Sequence, residues 1–152
     1  MHPRTQGGIV ALALTATLAL APAALAKPRT ETIRAFSKTV SFTYTSVDGT
    51  VTQGPPSTAP QAGDVFEIDS LDFQGNHTKH AKRAAMSDYL RCTFLSSLEP
   101  DCFGYVAIDG SLVRFHNMDV IGGTGRYQGA TGKTLKNEEV PGGSDIVVRI
   151  SY

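Results

Sequence analysis

Residues Gly122 to Gly132 read GGTGRYQGATG and give the strongest indication of the fold. This stretch contains five glycines in eleven residues, and Tyr127 is its single aromatic side chain. Glycine adopts positive φ and lets two backbone segments approach closely, so this density predicts a tight corner beside a kinked strand, with Tyr127 as its anchor.

Two phosphate-binding motifs also use glycine-rich loops, and the spacing argues against both. A P-loop that ends at Gly132 needs a glycine where Tyr127 stands. A dinucleotide-binding loop needs a glycine three residues after Gly125, where the chain has Gln128. No helical apolar pattern follows that could place a helix N-terminus against a phosphate. We therefore expect no nucleotide site.

The first 26 residues have the composition of a secretory signal peptide. Arg4 precedes an apolar run from Ile9 to Ala21, and the small-x-small sequence Ala24-Leu25-Ala26 follows. The run is short and alanine-rich for a membrane span, so an uncleaved anchor is the weaker alternative. We expect a single domain, residues 27–152, that is secreted or periplasmic and is not stably inserted in a membrane.

The charge balance gives no sign of a polyanionic partner. Removal of Arg4 with the signal peptide leaves 13 basic against 14 acidic residues, a net charge of −1. We therefore expect no nucleic-acid partner and no attraction to an anionic membrane.

Cys92 and Cys102 are the only cysteines. Export favours a structural disulfide between them, and their separation suits two neighbouring antiparallel strands joined by residues 96–100. A reactive or metal-bound pair is the alternative, but the chain lacks CxxC spacing.

Short alternating segments fill the mature chain and predict an all-β fold of seven or eight strands. The dipeptides Asp48-Gly49 and Asp109-Gly110 are typical of two-residue hairpins. We expect a loop at Gly54 to Gly63, which is rich in proline, glycine and serine. We also expect a polar excursion, a long segment outside the core, at Gln74 to Met86. The predicted strands lie at about Val40–Thr45, Val65–Phe73, Tyr89–Leu95, Cys102–Ile108, Leu112–Met118, Thr131–Glu139 and Asp145–Tyr152.

A sheet of this size must close into a barrel or pair into a sandwich to hide its edges. Strand kinks at Gly125, Gly129 and Gly132 favour a closed antiparallel barrel of about eight strands. An immunoglobulin-like sandwich would prefer a buried tryptophan, and the chain has none.

The order of these features resembles the allene oxide cyclase barrel family, which is similar to dirigent proteins and other calycin-like barrels. The residues that carry the resemblance are Gly63-Asp64, Leu90 to Phe94, Asp109 to Leu112, and the glycine motif Gly122, Gly123, Gly125, Tyr127, Gly129 and Gly132 after Val120-Ile121. The resemblance covers residues 63–152.

The resemblance implies a cofactor-free barrel that binds a small apolar molecule and acts on it as an isomerase or cyclase. It also implies that the protein is a secreted bacterial member of the family and that it forms a homo-oligomer. The plant cyclases use a carboxylate and an asparagine near the first strands. The matching segment here, Ser37 to Ser46, has neither. The alternative is a non-catalytic barrel that binds a lipid or other small molecule, or that has a structural role in the cell envelope.

Arg114 and His116 share one face of a predicted strand, with Val113 and Phe115 on the other. If the first face lines the barrel, Arg114 and His116 become catalytic candidates that polarise a carbonyl and move a proton. If the second does, they are solvent-exposed, which is the more usual position for charged residues.

Glu67 and Asp69 also share a strand face and are candidates for an acid/base pair if buried, although solvated carboxylates are more common. Tyr89 and Tyr105 are candidate ligand-binding phenols, with packing as the alternative role. His77 and His80 form an HxxH pair, which is too few ligands for a zinc site, so we expect no metal.

Overall fold

The computed structural model describes residues 28–95 and 100–152, which form antiparallel β-structure almost throughout. The predicted signal peptide and loop residues 96–99 lie outside the described residues. Within the described ranges, no helix is long and apolar enough to span a bilayer. The strands in chain order are β1 (Thr30–Thr45), β2 (Val51–Gln53), β3 (Val65–Asn76), β4 (Lys79–His80), β5 (Met86–Phe94), β6 (Pro100–Ile108), β7 (Ser111–His116), β8 (Asp119–Gly123), β9 (Thr131–Val140) and β10 (Gly143–Ser151).

Eight of these strands form a closed barrel, which confirms the predicted fold class. They pair in the order β1-β10-β9-β8-β7-β6-β5-β3. β3 also pairs with β1, from Ala35 opposite Gln74 to Thr45 opposite Val65, and this pairing joins the two edges of the sheet. β2 and β4 are short additions to β1 and β3. The barrel strands therefore satisfy one another's backbone hydrogen bonds.

The glycine motif forms β8, a single 3-10 turn (Gly125–Tyr127) and the start of β9. A Cβ atom at Gly132 would lie 2.0 Å from the carbonyl oxygen of Arg149 on β10, so only glycine allows the two strands to pack this closely. Tyr127 is fully buried, as predicted for the anchor. Gly125 and Gly129 lie between β8 and β9, so the predicted strand kinks there are wrong, and closure comes from the β1–β3 pairing.

The disulfide and one of the two predicted tight hairpins are confirmed. Cys92 and Cys102 lie directly opposite each other on β5 and β6 and form the disulfide. Asp109 and Gly110 both have positive φ and connect β6 to β7 as a two-residue turn. The first hairpin is longer than predicted, because Ser46 and Thr50 pair around it and the Asp48 carboxylate accepts hydrogen bonds from both.

Strand alternation sends one set of side chains into the barrel. The inward residues of β5 and β6 include Leu90 and Val106, and β7 contributes Val113 and Phe115. Farther along the same face, the rings of Phe42 and Phe66 stack 5.7 Å apart. A second cluster of buried side chains packs around Tyr127, namely Val113, Val120, Ala130, Val148 and Ile150.

The polar excursion after β3 folds back over the outer wall. His80 of β4 packs on the rings of Phe36 and Phe73, with centroids 4.9 and 5.4 Å away. Asp145 on β10 accepts hydrogen bonds from the backbone N–H of His77, at 2.7 Å, and pairs with its Nδ1, at 2.8 Å. Phe36 is therefore buried although it points away from the barrel interior.

Candidate functional site

The barrel interior holds a cavity of about 140 Å³ with largely apolar walls. The apolar side chains that line it are Ile33, Met86, Leu90, Val106, Val113, Phe115, Ile146, Val148 and Ile150. Asn117, Met118 and Asn137 line it as well and are exposed, so the cavity reaches solvent at their end of the barrel. An apolar cavity of about 150 Å³ holds a benzene-sized molecule. The space therefore suits a single ring.

Two carboxyl groups, Asp72 on β3 and Asp88 on β5, face this cavity, and we call them the interior carboxyl pair. Asp72 pairs with Met86 and Asp88 pairs with Ser70, so the two aspartates are diagonal neighbours on one sheet face. Such neighbours lie about 7 Å apart. Asp72 is only 3% exposed. In each carboxyl, Oδ1 is buried and has no hydrogen-bond partner among the described residues.

Burial changes the acidity of both members of the pair. Desolvation, followed by the negative charge of Asp88, raises the pKa of Asp72 to about 6, and hydrogen bonding by Ser37 opposes the rise. Desolvation also raises the pKa of Asp88. Hydrogen bonding by Ser70 opposes this rise, and repulsion from Asp69 adds to it.

The strand register explains why these partners meet. Ser37 on β1 lies directly opposite Asp72, and Ser70 on β3 lies directly opposite Asp88. Ser37 is placed by the N-terminal part of β1, which the sequence analysis did not predict as a strand. The site therefore depends on the same β1–β3 pairing that closes the barrel.

A second space of about 540 Å³ lies at the opposite end of the barrel, and we call it the end opening. It shares Ile33 and Met86 with the interior cavity. Arg126 borders it, with its guanidinium 3.7 Å from both Glu31 and Asp109. The end opening therefore adjoins the interior cavity.

Tyr127 is a phenol in a special environment, but it belongs to the end of the barrel. Its hydroxyl donates to Glu31 at 2.5 Å and accepts from Arg126, whose cation lies 4.6 Å from the ring centroid. Burial, and then this hydrogen bond to Glu31, raise the pKa of Tyr127 to about 12. The phenol stays protonated at neutral pH and ties the glycine motif to β1.

The structure places Arg114 and His116 on the outer face of β7, and Val113 and Phe115 inside. Arg114 is exposed. His116 stacks on Phe103 with ring centroids 4.2 Å apart, and its Nε2 lies 2.6 Å from Asp101. The first arrangement considered from the sequence, with Arg114 and His116 lining the interior, is therefore corrected, and their catalytic role stays a prediction.

Glu67, Asp69, Tyr89 and Tyr105 also have outward positions, because they alternate with the inward residues of β3, β5 and β6. Tyr89 donates to Glu67 at 2.5 Å, and Arg91 donates to it at 2.7 Å. These two hydrogen bonds, that of Tyr89 first, lower the pKa of Glu67. Glu67 and Asp69 therefore lie on the outer face, as in the solvated alternative, and their catalytic role stays a prediction. Ligand binding by Tyr89 and Tyr105, whose rings lie 5.5 Å apart, stays a prediction.

The described part of the chain holds no cluster of three or more His, Cys, Asp or Glu side chains suited to a metal ion. His77 and His80 have the structural contacts given above, with Asp145 and with the rings of Phe36 and Phe73. The interior carboxyl pair provides two carboxyls against an apolar wall, an arrangement suited to moving a proton or holding a polar group.

Fold and site together define a closed eight-stranded barrel with an acidic, otherwise apolar interior. No protein-family model matches the sequence, and no curated protein is significantly similar to it. Among solved structures, a pyocyanin demethylase matches with a TM-score of 0.59 and 14% identity, over 79% of this chain and 99% of the other. A pterocarpan synthase dirigent protein matches with a TM-score of 0.53 and 15% identity, over 82% and 83%. At these identities the likeness establishes the fold, and it confirms the predicted dirigent-like barrel at that level.

Proposed function

We propose that the chain is an exported barrel that encloses one small, largely apolar molecule and moves a proton on it, as isomerisation or cyclisation requires. The observation that carries the proposal is the interior carboxyl pair, because carboxyl groups with a buried, unpartnered oxygen are rare in an apolar cavity. Groups of this kind are common at catalytic sites.

The pair supplies an acid and a base at once. Near pH 6, the raised pKa of Asp72 leaves a proton available to be shared between two interacting carboxyls. A protonated carboxyl donates to one atom of the bound molecule, and the ionised one accepts a proton from another. Proton transfer of this kind needs no cofactor.

The glycine motif and the two similar structures support the proposal by analogy. The names of those structures describe a demethylase that acts on pyocyanin and a synthase of pterocarpan. Asp72 and Asp88 also supply carboxylates that the segment from Ser37 to Ser46 lacks, which keeps an allene oxide cyclase-like mechanism within the proposal.

A non-catalytic binding barrel is the second candidate, and the size of the cavity favours it. Ligand pockets usually enclose about 300 Å³ or more. The interior here encloses about 140 Å³. A small molecule that is held without reaction, or an interior that contributes mainly to the fold, fits this volume.

Isomerisation of 3-cyclohexenone to its conjugated isomer tests the choice. The probe is a single ring, and the reaction moves a proton from the carbon between carbonyl and alkene to the far alkene carbon. We expect the unmodified protein to accelerate the rise in ultraviolet absorbance. Asp72→Asn or Asp88→Asn should then lower the rate by at least about 100-fold.

Asp119→Asn is the matched control, because Asp119 is an exposed aspartate of β8. It should change the rate less than about twofold. Binding of the probe without acceleration would favour the non-catalytic candidate. Failure of 3-cyclohexenone and of every other single-ring probe to bind would overturn the proposal.

Export and self-association also belong to the proposal. The Cys92–Cys102 disulfide supports an oxidising compartment. Mass measurement of the mature protein should place its N-terminus at Lys27, and light scattering should give its oligomeric state. Retention of residues 1–26 in the mature protein would contradict the cleaved signal peptide.

A further inference from the structure

The interior carboxyl pair has two acceptor atoms to which the described residues donate no hydrogen bond. Oδ1 of Asp72 and Oδ1 of Asp88 are both buried and unpartnered. A buried acceptor without a donor costs free energy, and a buried charge without a countercharge costs more. A molecule that fills the cavity therefore gains most if it brings the missing donors.

The cavity wall also supplies no positive charge. None of the described residues that line it is a lysine, an arginine or a histidine. Besides the two aspartates, the polar side chains that line it are Asn117, Thr134 and Asn137, none of which is ionisable. The field inside the cavity is therefore set by two carboxylates.

We propose that the molecule taken into the cavity carries a basic nitrogen, and that its protonated form is held between Asp72 and Asp88. This inference rests on the proposed function, and it names the chemical class of the ligand. An ammonium or ring N–H⁺ donates hydrogen bonds to the two carboxyl groups that line the cavity and supplies the countercharge. The apolar remainder of the molecule, about one ring in size, packs on the wall that includes Val113, Phe115 and Val148.

Other ligand classes satisfy this site less well. An anion would be repelled by the pair, and a hydrocarbon would leave both oxygens without a donor. A hard metal ion prefers six or more oxygen ligands, whereas the cavity offers two carboxyls. A cationic nitrogen on a small apolar body meets both the charge and the shape.

The affinity should depend on pH through the pair. Asp72 and Asp88 are diagonal neighbours on the cavity wall, Ser37 and Ser70 oppose the rise of their pKa values, and Asp69 acts on Asp88 from the outer face. The pKa of Asp72 is about 6, so a cation gains its partner as the pH rises through that value. Binding should weaken again only when the ligand loses its own proton.

Calorimetric binding of benzylamine and of toluene tests the inference, because the two probes differ chiefly in the basic nitrogen. We expect benzylamine to bind the unmodified protein at least about fivefold more tightly near pH 7.5 than near pH 5. The double variant D72N/D88N should weaken benzylamine at least about tenfold and leave toluene within about threefold. Asp119→Asn should leave both affinities within about twofold.

The outcomes separate the two proposals. Equal binding of toluene and benzylamine by the unmodified protein at both pH values would overturn the basic nitrogen and leave the enclosed site standing. Failure of both probes to bind, together with 3-cyclohexenone, would overturn the proposed function itself. If D72N/D88N does not fold, the pH dependence of benzylamine binding to the unmodified protein still decides the inference.

Discussion

Replacement of Asp72 by asparagine should make the protein more stable at neutral pH. The pKa of Asp72 is about 6 in the folded barrel. An unfolded aspartate has a pKa of about 4, so the folded state binds this proton more tightly. The resulting stabilisation is complete below about pH 4 and is lost as the pH rises through about 6.

The size of the effect follows from the shift. A rise of roughly two pKa units corresponds to about 3 kcal/mol of free energy of unfolding at pH 7.5. Asparagine does not ionise, so Asp72→Asn should avoid this cost. Asp64 and Glu67 have lowered pKa values and act in the opposite direction, so the useful quantity is the difference between the variant and the unmodified protein.

Urea unfolding followed by circular dichroism measures this difference. We expect Asp72→Asn to exceed the unmodified protein by about 3 kcal/mol near pH 7.5 and to equal it within about 0.5 kcal/mol near pH 4. Asp119→Asn should show no such divergence. A constant difference between Asp72→Asn and the unmodified protein across the pH range would show that the Asp72 carboxyl does not have a raised pKa in the folded barrel.

Two further predictions concern the fold. Replacing Cys92 and Cys102 with serine removes the disulfide that closes a loop with a sequence separation of 10. The free energy of unfolding, measured by urea titration, should fall by about 2 to 3 kcal/mol. Equal midpoints with and without the disulfide would contradict this. Gly132→Ala should cost about 3 kcal/mol through its clash with the Arg149 carbonyl, against about 1 kcal/mol for Gly129→Ala, where a Cβ meets nothing within 4 Å. Equal costs for the two alanines, measured in the same titrations, would contradict the packing argument at Gly132.

Local sequence signals predicted the parts of the fold that short-range chemistry determines. The Asp109-Gly110 turn needs two residues with positive φ, and this dipeptide is typical of that geometry. The disulfide followed from strand spacing and the expected compartment. The glycine motif predicted Tyr127 as an anchor, and this side chain is fully buried.

Long-range pairing was harder to predict. The first half of β1, from Thr30 to Ser37, mixes charged and polar residues on its outer face, so its alternation was not recognised. Its outward Phe36 is covered by the excursion that contains His80. Neither the covering segment nor the pairing of β1 with β3 has a signal within a local window.

The interior carboxyl pair was missed for a related reason. In β3, Asp72 continues the face that carries Phe66 and Ile68, and this alternation was a usable signal. The alternation alone gives no preference between this face and the one that carries Glu67 and Asp69, and carboxylates are usually at the surface. Only the register with β5 shows that Asp72 and Asp88 share one cavity.

The proposed function and the proposed ligand class both require a cavity in the barrel where Asp72 and Asp88 receive a small molecule. The most direct test is a crystal structure determined with benzylamine near neutral pH. We expect the ring inside the barrel, with its nitrogen about 3 Å from carboxyl oxygens of both aspartates. An interior closed by side chains, with the amine absent or bound only on the outer wall, would show that the pair does not receive a ligand.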